Sequence, residues 1–66
     1  MKETMFDVVA VDMKKHTVRF MAENKNRRNA DAIESMAVMR RGVEDEFFAV
    51  VPHGKYDAGD KWAGID

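Results

Sequence analysis

The stretch TMFDVVAVDM, residues 4–13, decides the fold because it is apolar on both of the faces that a strand would present. β-branched and aromatic residues dominate it, which favours an extended strand. Alternate residues divide into two apolar sets: Phe6, Val8 and Ala10 on one side, and Met5, Val9, Val11 and Met13 on the other. A strand with two apolar faces belongs in the interior of a sheet, so we predict that this strand is central.

The next segment predicts a hairpin with the central strand. Residues 16–23, HTVRFMAE, alternate in polarity and follow the short polar connection DMKKH. The alternation puts these residues on the two sides of the strand: Val18, Phe20 and Ala22 on one, and Thr17, Arg19, Met21 and Glu23 on the other. We assign the first set, together with the set of Phe6, to the face that a helix covers.

A helix is predicted over residues 30–41, with Asn29 as its N-cap and Asp31 near the positive end of the helix dipole. Gly42 is a suitable C-terminal stop. The 3.6-residue period gathers one broad apolar side, formed by Ala30, Ala32, Ile33, Met36, Ala37 and Met39. We expect this side to pack on the sheet.

The third strand is predicted over residues 44–51, ended by Pro52, and residues 53–66 read as a turn-rich tail. A right-handed crossover through the helix makes the third strand parallel to the second, so it pairs antiparallel with the first. The chain is therefore predicted to be one α+β domain, residues 1–66, with ββαβ order. Its three-stranded antiparallel sheet has the strand order 2-1-3, and one helix lies on one face.

One helix covers one face of such a sheet, which leaves the second face apolar and uncovered. This second face would carry Met5, Val9, Val11, Met13 and Met21, with either Phe48 and Val50 or Phe47 and Val51 from the third strand. Two kinds of cover remain open: the tail folding back with Tyr56, Trp62 and Ile65, or a protein partner or second copy of the chain. The predicted partner-binding residues are therefore Met5, Val9, Val11, Met13, Met21, Tyr56 and Trp62.

The alternative function is nucleic-acid binding. Its candidate residues are Lys14, Lys15, Arg40 and Arg41 at one end of the fold, and Arg27 and Arg28 before the helix. Eleven lysines and arginines oppose twelve aspartates and glutamates, and residues 44–46, EDE, fall beside the first cluster. A solvated charged surface is therefore the favoured interpretation over phosphate contacts.

Catalysis and metal binding find little support. Ser35 lies in mid-helix, and His16 and His53 fall at opposite ends of the predicted sheet, so neither a nucleophile–base pair nor a shared metal site is expected. The chain has no cysteine, which excludes disulfides and thiolate zinc sites and fits a reducing cytoplasm. We expect no cofactor, no small-molecule substrate and no enzyme activity. Neither a signal peptide nor an apolar run of about 20 residues is present, so we expect a cytoplasmic protein that does not bind membranes.

A hairpin followed by the helix NADAIESMAVMRRG, residues 29–42, and the strand EDEFFAVVP, residues 44–52, resembles small accessory proteins encoded by bacteriophages. The resemblance lies in the element order of residues 4–52 and contains no motif from which a functional residue carries over. It implies binding to host machinery in the host cytoplasm without catalysis. The leading hypothesis is thus a protein-binding module, an inhibitor or modulator, that acts through an apolar sheet face, an edge strand or the tail with Tyr56 and Trp62.

Overall fold

The computed structural model describes residues 4–40 and 45–65. Strand β1 spans Phe6–Asp12, β2 spans Val18–Lys25, helix α1 spans Arg27–Arg40 and β3 spans Glu46–Pro52. The sheet order is β2-β1-β3, and both outer strands are antiparallel to β1. The predicted α+β class, ββαβ order and central first strand are confirmed. Arg41, Gly42 and Glu44, which the sequence assigned to the helix end and third strand, lie outside the described residues.

A β-bulge at Met21 changes which face of the sheet β2 presents. Val9 pairs with Phe20 and Val8 with Ala22, so one step along β1 corresponds to two along β2, and Met21 is the extra residue. Phe20 therefore packs with Val9, whereas Ala22 packs with Val8 beneath the helix. The prediction that Val18 and Phe20 lie on the helix face is wrong, because strict alternation assumes a strand without a bulge.

The helix begins three residues earlier than predicted, at Arg27. The side-chain oxygen of Asn26, and not that of Asn29, acts as the cap by accepting a hydrogen bond from the backbone N–H of Asn29 at 2.8 Å. Asp31 consequently lies in the second turn, 3.4 Å from the Nε of Arg27. Two asparagines three residues apart are equally good caps in the sequence, and the helix starts at the one that directly follows β2.

α1 packs on the sheet through a narrow set of residues. Ala30 is the one buried residue within Arg27–Arg40, and Ile33 packs beside it against Val8 and Val50. Met36 and Met39 are 52% and 85% exposed, so the prediction that they face the sheet is wrong. At 100° per residue, these two methionines lie outside the arc that Ala30 and Ile33 define, and the helix contacts the sheet along a narrower stripe than the pattern predicted.

The second face of the sheet is covered by the chain's own C-terminal segment, residues 53–65, called the tail below. Buried residues of this tail face are Val9, Val11, Val18, Ala49, Val51 and Tyr56, with Phe20, Phe47 and Trp62 packed around them. Of the two pairs left open for β3, Phe47 and Val51 therefore belong here. Ile65 does not fold back onto the face, since its side chain is about half exposed.

Candidate binding site

A shallow pocket of about 140 Å³ opens at the hairpin end of the tail face. Its lining consists of Val11, Met13, His16, Phe47 and Trp62. β1, the hairpin turn, β3 and the tail each contribute to it, so the pocket exists only when the sheet and tail have come together.

The wall of the pocket is aromatic and firmly held. The rings of Phe47 and Trp62 meet edge to face with centroids 5.4 Å apart. The ring of Trp62 stacks in turn on that of Tyr56, at 5.5 Å and an interplanar angle of 17°. The hydroxyl of Tyr56 accepts a hydrogen bond from the Ala63 N–H at 2.8 Å and donates one to the Gly64 carbonyl at 2.6 Å. These contacts fix the indole before any ligand arrives.

The tail is attached to the hairpin by backbone pairing. The N–H of Trp62 donates to the His16 carbonyl at 2.7 Å, and Thr17 forms an antiparallel bridge with Lys61. His16 itself adopts a left-handed backbone, φ 57°, which closes the turn between β1 and β2. The turn and the indole are therefore positioned by one continuous set of hydrogen bonds.

The rim combines one flexible apolar side chain with polar groups. Met13 is 53% exposed, and its N–H donates to the Asp45 carbonyl at 2.7 Å, which ties the rim to the start of β3. Asp12 holds the turn by accepting hydrogen bonds from the N–H groups of Lys14 and Lys15, at 2.8 and 3.0 Å. The bonds from Lys15 and Lys14 lower the pKa of the Asp12 carboxyl below its ordinary value, since they favour its charged form.

The predicted partner-binding residues divide into three groups in the structure. Met13, Trp62 and Val11 meet at the pocket. Val9 of β1 and Tyr56 of the tail are buried in the core between the sheet and the tail, where they offer no contact surface. Met21 is exposed on the bulge of β2, and Met5 precedes β1 at the other end of the sheet.

Phe47 and His16 complete the pocket, and neither was among the predicted partner-binding residues. The register of β1 and β3 shows why Phe47 belongs there, because it pairs directly with Val11. The sequence contains no signal for this choice, since Phe47 and Phe48 are both aromatic and the pairing register decides between them. His16 is placed by the turn geometry.

The basic residues of the nucleic-acid alternative lie on two regions of the described chain, the hairpin between β1 and β2 and the helix α1. Lys14 pairs with Asp45 at 3.2 Å, in the hairpin region. Arg27 lies at the other end of the sheet, where it pairs with Asp31 and its guanidinium lies 5.1 Å from the ring centroid of Phe6. Lys15, Arg28 and Arg40 are exposed, and Arg41 is outside the described residues.

A second polar cluster surrounds Asp7, which is 1% exposed. Its carboxylate accepts hydrogen bonds from the Asn24 N–H at 2.8 Å and the Gly54 N–H at 3.4 Å, and lies 2.7 Å from Nδ1 of His53. The carboxylate thus joins the start of β1 to the ends of β2 and β3. Sequence reasoning missed this cluster, although an acidic residue within an apolar central strand was a signal for it.

The Asp7 cluster has a structural role, because it holds the start of β1 to the ends of β2 and β3, and it is called the Asp7 staple below. Asn24 near the end of β2 and Gly54 in the turn after β3 both donate to it and have φ of 58° and 86°, so the backbone at both positions is shaped around the carboxylate. The sole serine of the sequence, Ser35, lies on α1 and therefore on a different element from Asp7 and His53. Over residues 4–40 and 45–65, no three histidine, aspartate or glutamate side chains gather as a metal site.

Comparison of the chain with protein-family models, with curated proteins and with solved structures yields no match. Among the residues described, no helix has the length and apolarity that crossing a membrane requires.

Proposed function

We propose that this chain is a non-enzymatic protein-binding module that takes one apolar side chain of its partner into the pocket. The observation that carries the proposal is a mainly apolar pocket whose lining includes the packed rings of Phe47 and Trp62 and the exposed side chain of Met13. Aromatic anchors in a desolvated depression are the features that dominate protein–protein binding energy.

The size of the pocket supports a side chain as its occupant. Sites for cofactors and drug-sized ligands have volumes of about 300–1,000 Å³. An apolar cavity of about 150 Å³ accepts a ring the size of benzene. The pocket, at about 140 Å³, therefore matches a single aromatic or branched aliphatic side chain presented by a partner's surface.

The composition of the surroundings also supports protein binding. Around the apolar floor lie polar groups, including His16, the Lys14–Asp45 ion pair and Lys61, whose ammonium donates to the Lys15 carbonyl at 2.9 Å. An apolar centre with a polar rim is the usual anatomy of a specific protein interface. Met13 suits such a rim, because its flexible thioether adapts to the shape of the incoming group.

The chemistry of the lining supports a role without catalysis. His16 is the titratable side chain in the lining. The paired His53 and Asp7 lie towards the opposite end of β1, where Asp7 is four residues, or about 13 Å, from Val11 of the lining. A general base needs a nucleophile or substrate proton within hydrogen-bond reach.

The resemblance to phage accessory proteins extends the proposal to an inhibitor or modulator of a host protein.

The test compares two glutamate substitutions on exposed methionines. Met13→Glu places a carboxylate at the rim, whereas the control Met39→Glu alters a side chain on the outer side of α1 that is even more exposed. Each variant and the unaltered chain are immobilised, exposed to a lysate of the source cell, and cross-linked to whatever they retain. Circular dichroism melting shows that both variants keep the fold.

We expect a retained protein that Met13→Glu loses and Met39→Glu keeps, with cross-links to the residues around the pocket. Its retention should change little when salt rises from about 50 to about 200 mM, since apolar docking does not release counterions. Equal retention by all three chains would place the contact elsewhere. A retained nucleic acid whose binding falls by orders of magnitude over that salt range would replace this proposal with the alternative function.

A further inference from the structure

Within residues 4–40 and 45–65, the outer edge of β3 presents backbone groups that have no hydrogen-bond partner. Hydrogen bonds from the His53 N–H to the Met5 carbonyl, 3.0 Å, and from the Met13 N–H to the Asp45 carbonyl, 2.7 Å, show that odd-numbered residues bond to β1. Since bonding alternates along an antiparallel pair, the N–H and C=O groups of Glu46, Phe48 and Val50 point away from β1. Over the described part of the chain, no backbone hydrogen bond reaches them from that side.

The other edge of the sheet is protected. The Val18 N–H donates to the Asp60 carbonyl at 2.9 Å, and the Val18 carbonyl accepts from the Gly59 N–H at 2.8 Å, so the tail occupies one end of the β2 edge. The bulge at Met21 distorts the rest, and Arg19, Glu23 and Lys25 add charges. Bulges and charges are the usual means by which proteins prevent edge-to-edge pairing.

β3 lacks these protections along its length. Residues 47–51, FFAVV, are uncharged and have strong β propensity, and Pro52 removes one donor at the far end only. Glu46 is the charged residue of the strand, but Arg19 holds its carboxylate with two hydrogen bonds of 2.8 and 2.9 Å. Its charge is neutralised within the chain and does not repel a neighbouring strand.

We infer that β3 pairs antiparallel with β3 of a second copy, which joins two sheets into one of six strands. In a dimer with a two-fold axis, the outward N–H and C=O groups of β3 must lie opposite C=O and N–H groups of the same strand running in the other direction. The groups of Glu46, Phe48 and Val50 meet that requirement, because they recur at every second residue. The β3 strand of a second copy can therefore form hydrogen bonds with these groups, and no strand of a different sequence is required.

One register suits the side chains best, with Ala49 opposite Ala49 of the second copy. Antiparallel strands approach most closely at such non-hydrogen-bonded pairs, about 4.5 Å between Cα atoms, and alanine fits there. Phe47 then lies opposite Val51 of the second copy, an aromatic and β-branched pair of the kind that stabilises sheets. Phe48 and Val50 of the second copy exchange two backbone hydrogen bonds.

This pairing has a consequence for the pocket, although it does not depend on the function proposed for it. An antiparallel two-fold axis is perpendicular to the sheet, so both tail faces lie on the same side of the dimer. Two copies of the pocket would open in one direction, and a partner with two suitable side chains would bind with the advantage of a linked second contact.

The test uses amide hydrogen exchange by NMR together with the mass in solution, from about 10 μM to about 1 mM protein. We expect the mass to rise from 7.6 kDa towards twice that value. The N–H groups of Phe48 and Val50 should become protected over the same range, whereas those of Ala49 and Val51, bonded to β1, stay protected throughout. No variant is needed, so misfolding cannot imitate the result.

Three results would overturn the inference. The first is a mass of 7.6 kDa at every concentration, and the second is a dimer in which exchange at Phe48 and Val50 does not change. The third is full protection of these amides in the dilute monomer, which would mean that the chain covers its own edge. The register is tested separately by oxidation of two variants: Ala49→Cys should form a disulfide-linked dimer, and Phe48→Cys should not. The reverse result would exclude this register.

Discussion

One face of the sheet is covered by the regular helix α1 and the other by the irregular tail. The tail, although less regular, covers the larger apolar cluster. α1 has 14 residues and buries Ala30 against the sheet, with Ile33 beside it. The tail has no long regular element among residues 53–65, yet it buries Tyr56 and packs Trp62 over the larger apolar cluster. Aromatic area, and not helical content, decides how much apolar surface a cover removes from water.

The difference also explains where exposed apolar groups occur. Met36 and Met39 lie on the outer side of the helix, because the contact with the sheet is a narrow stripe that includes Ala30 and Ile33. On the tail face the aromatic rings of Phe47 and Trp62 line the pocket at the hairpin end, beside the exposed side chain of Met13. The tail face thus combines the main core of the protein with its candidate binding site.

The strongest test of this comparison is the removal of the indole. Trp62→Ala should lower the free energy of unfolding by about 3 kcal/mol, because it deletes the ring that stacks on Tyr56 and meets Phe47. That is a large share of the stability of a domain of this size, about 5 kcal/mol. Met39→Ala, on the helix, should change it by less than about 0.5 kcal/mol. Urea unfolding followed by far-ultraviolet circular dichroism measures both, and equal losses would refute the comparison.

The Asp7 staple at the other end of the tail face gives the next largest effect. Asp7→Ala should cost about 2 kcal/mol, because the Asn24 N–H and His53 lose an acceptor that is itself buried. The control Asp31→Ala removes an exposed helix pair and should cost less than about 0.5 kcal/mol. Thermal melting of the two variants measures both losses of stability. A small effect of Asp7→Ala would mean that the tail face is held by its aromatic residues alone.

Tyr56→Phe separates the ring of the tail from its hydroxyl. It keeps the stacking on Trp62 and removes the hydroxyl that bonds to Ala63 and Gly64. We expect a loss of about 1 kcal/mol in urea unfolding, the usual net value of such a bond. Faster amide exchange at Ala63 should accompany it. If stability and exchange are both unchanged, the hydroxyl does not order the tail.

The smallest effect is expected on the helix side, from the pair of Arg19 and Glu46. The hydrogen bond from Arg19 lowers the pKa of the Glu46 carboxyl below its ordinary value of 4.5. Because the folded-state pKa is depressed, the contribution is complete above about pH 4.5 and is lost as the pH falls through the folded-state value. Glu46→Gln should cost less than about 1 kcal/mol near pH 7, since Arg19 is largely exposed.

Thermal melting of both chains between about pH 7 and about pH 3 measures this contribution. The difference between the unaltered chain and Glu46→Gln should shrink as the pH falls. A difference that grows towards acid would contradict the assigned sign.

Much of the fold could be predicted from residues 4–13, because a strand with two apolar faces has only an interior place in a small sheet. The errors came from local choices between equivalent residues. Asn26 and Asn29 are both good caps, and the bulge at Met21 turned Phe20 to the other face. The candidate site was predicted only in part. Val11, Met13 and Trp62 were among the predicted partner-binding residues, whereas Phe47 reaches the pocket because it pairs with Val11.

The amino-acid order alone determined the strands and the helix, because periodicity and turn residues act within about ten neighbours along the chain. The sheet order then followed from the handedness of the crossover through the helix. Tertiary structure decided which cover each face receives, that Asp7 is satisfied inside an apolar strand, and that four separate segments form one pocket. These outcomes depend on contacts between residues far apart in the chain, such as Asp7 with His53 and Trp62 with Phe47. The free energy of these contacts stabilises the protein only after the strands, the helix and the tail have assembled.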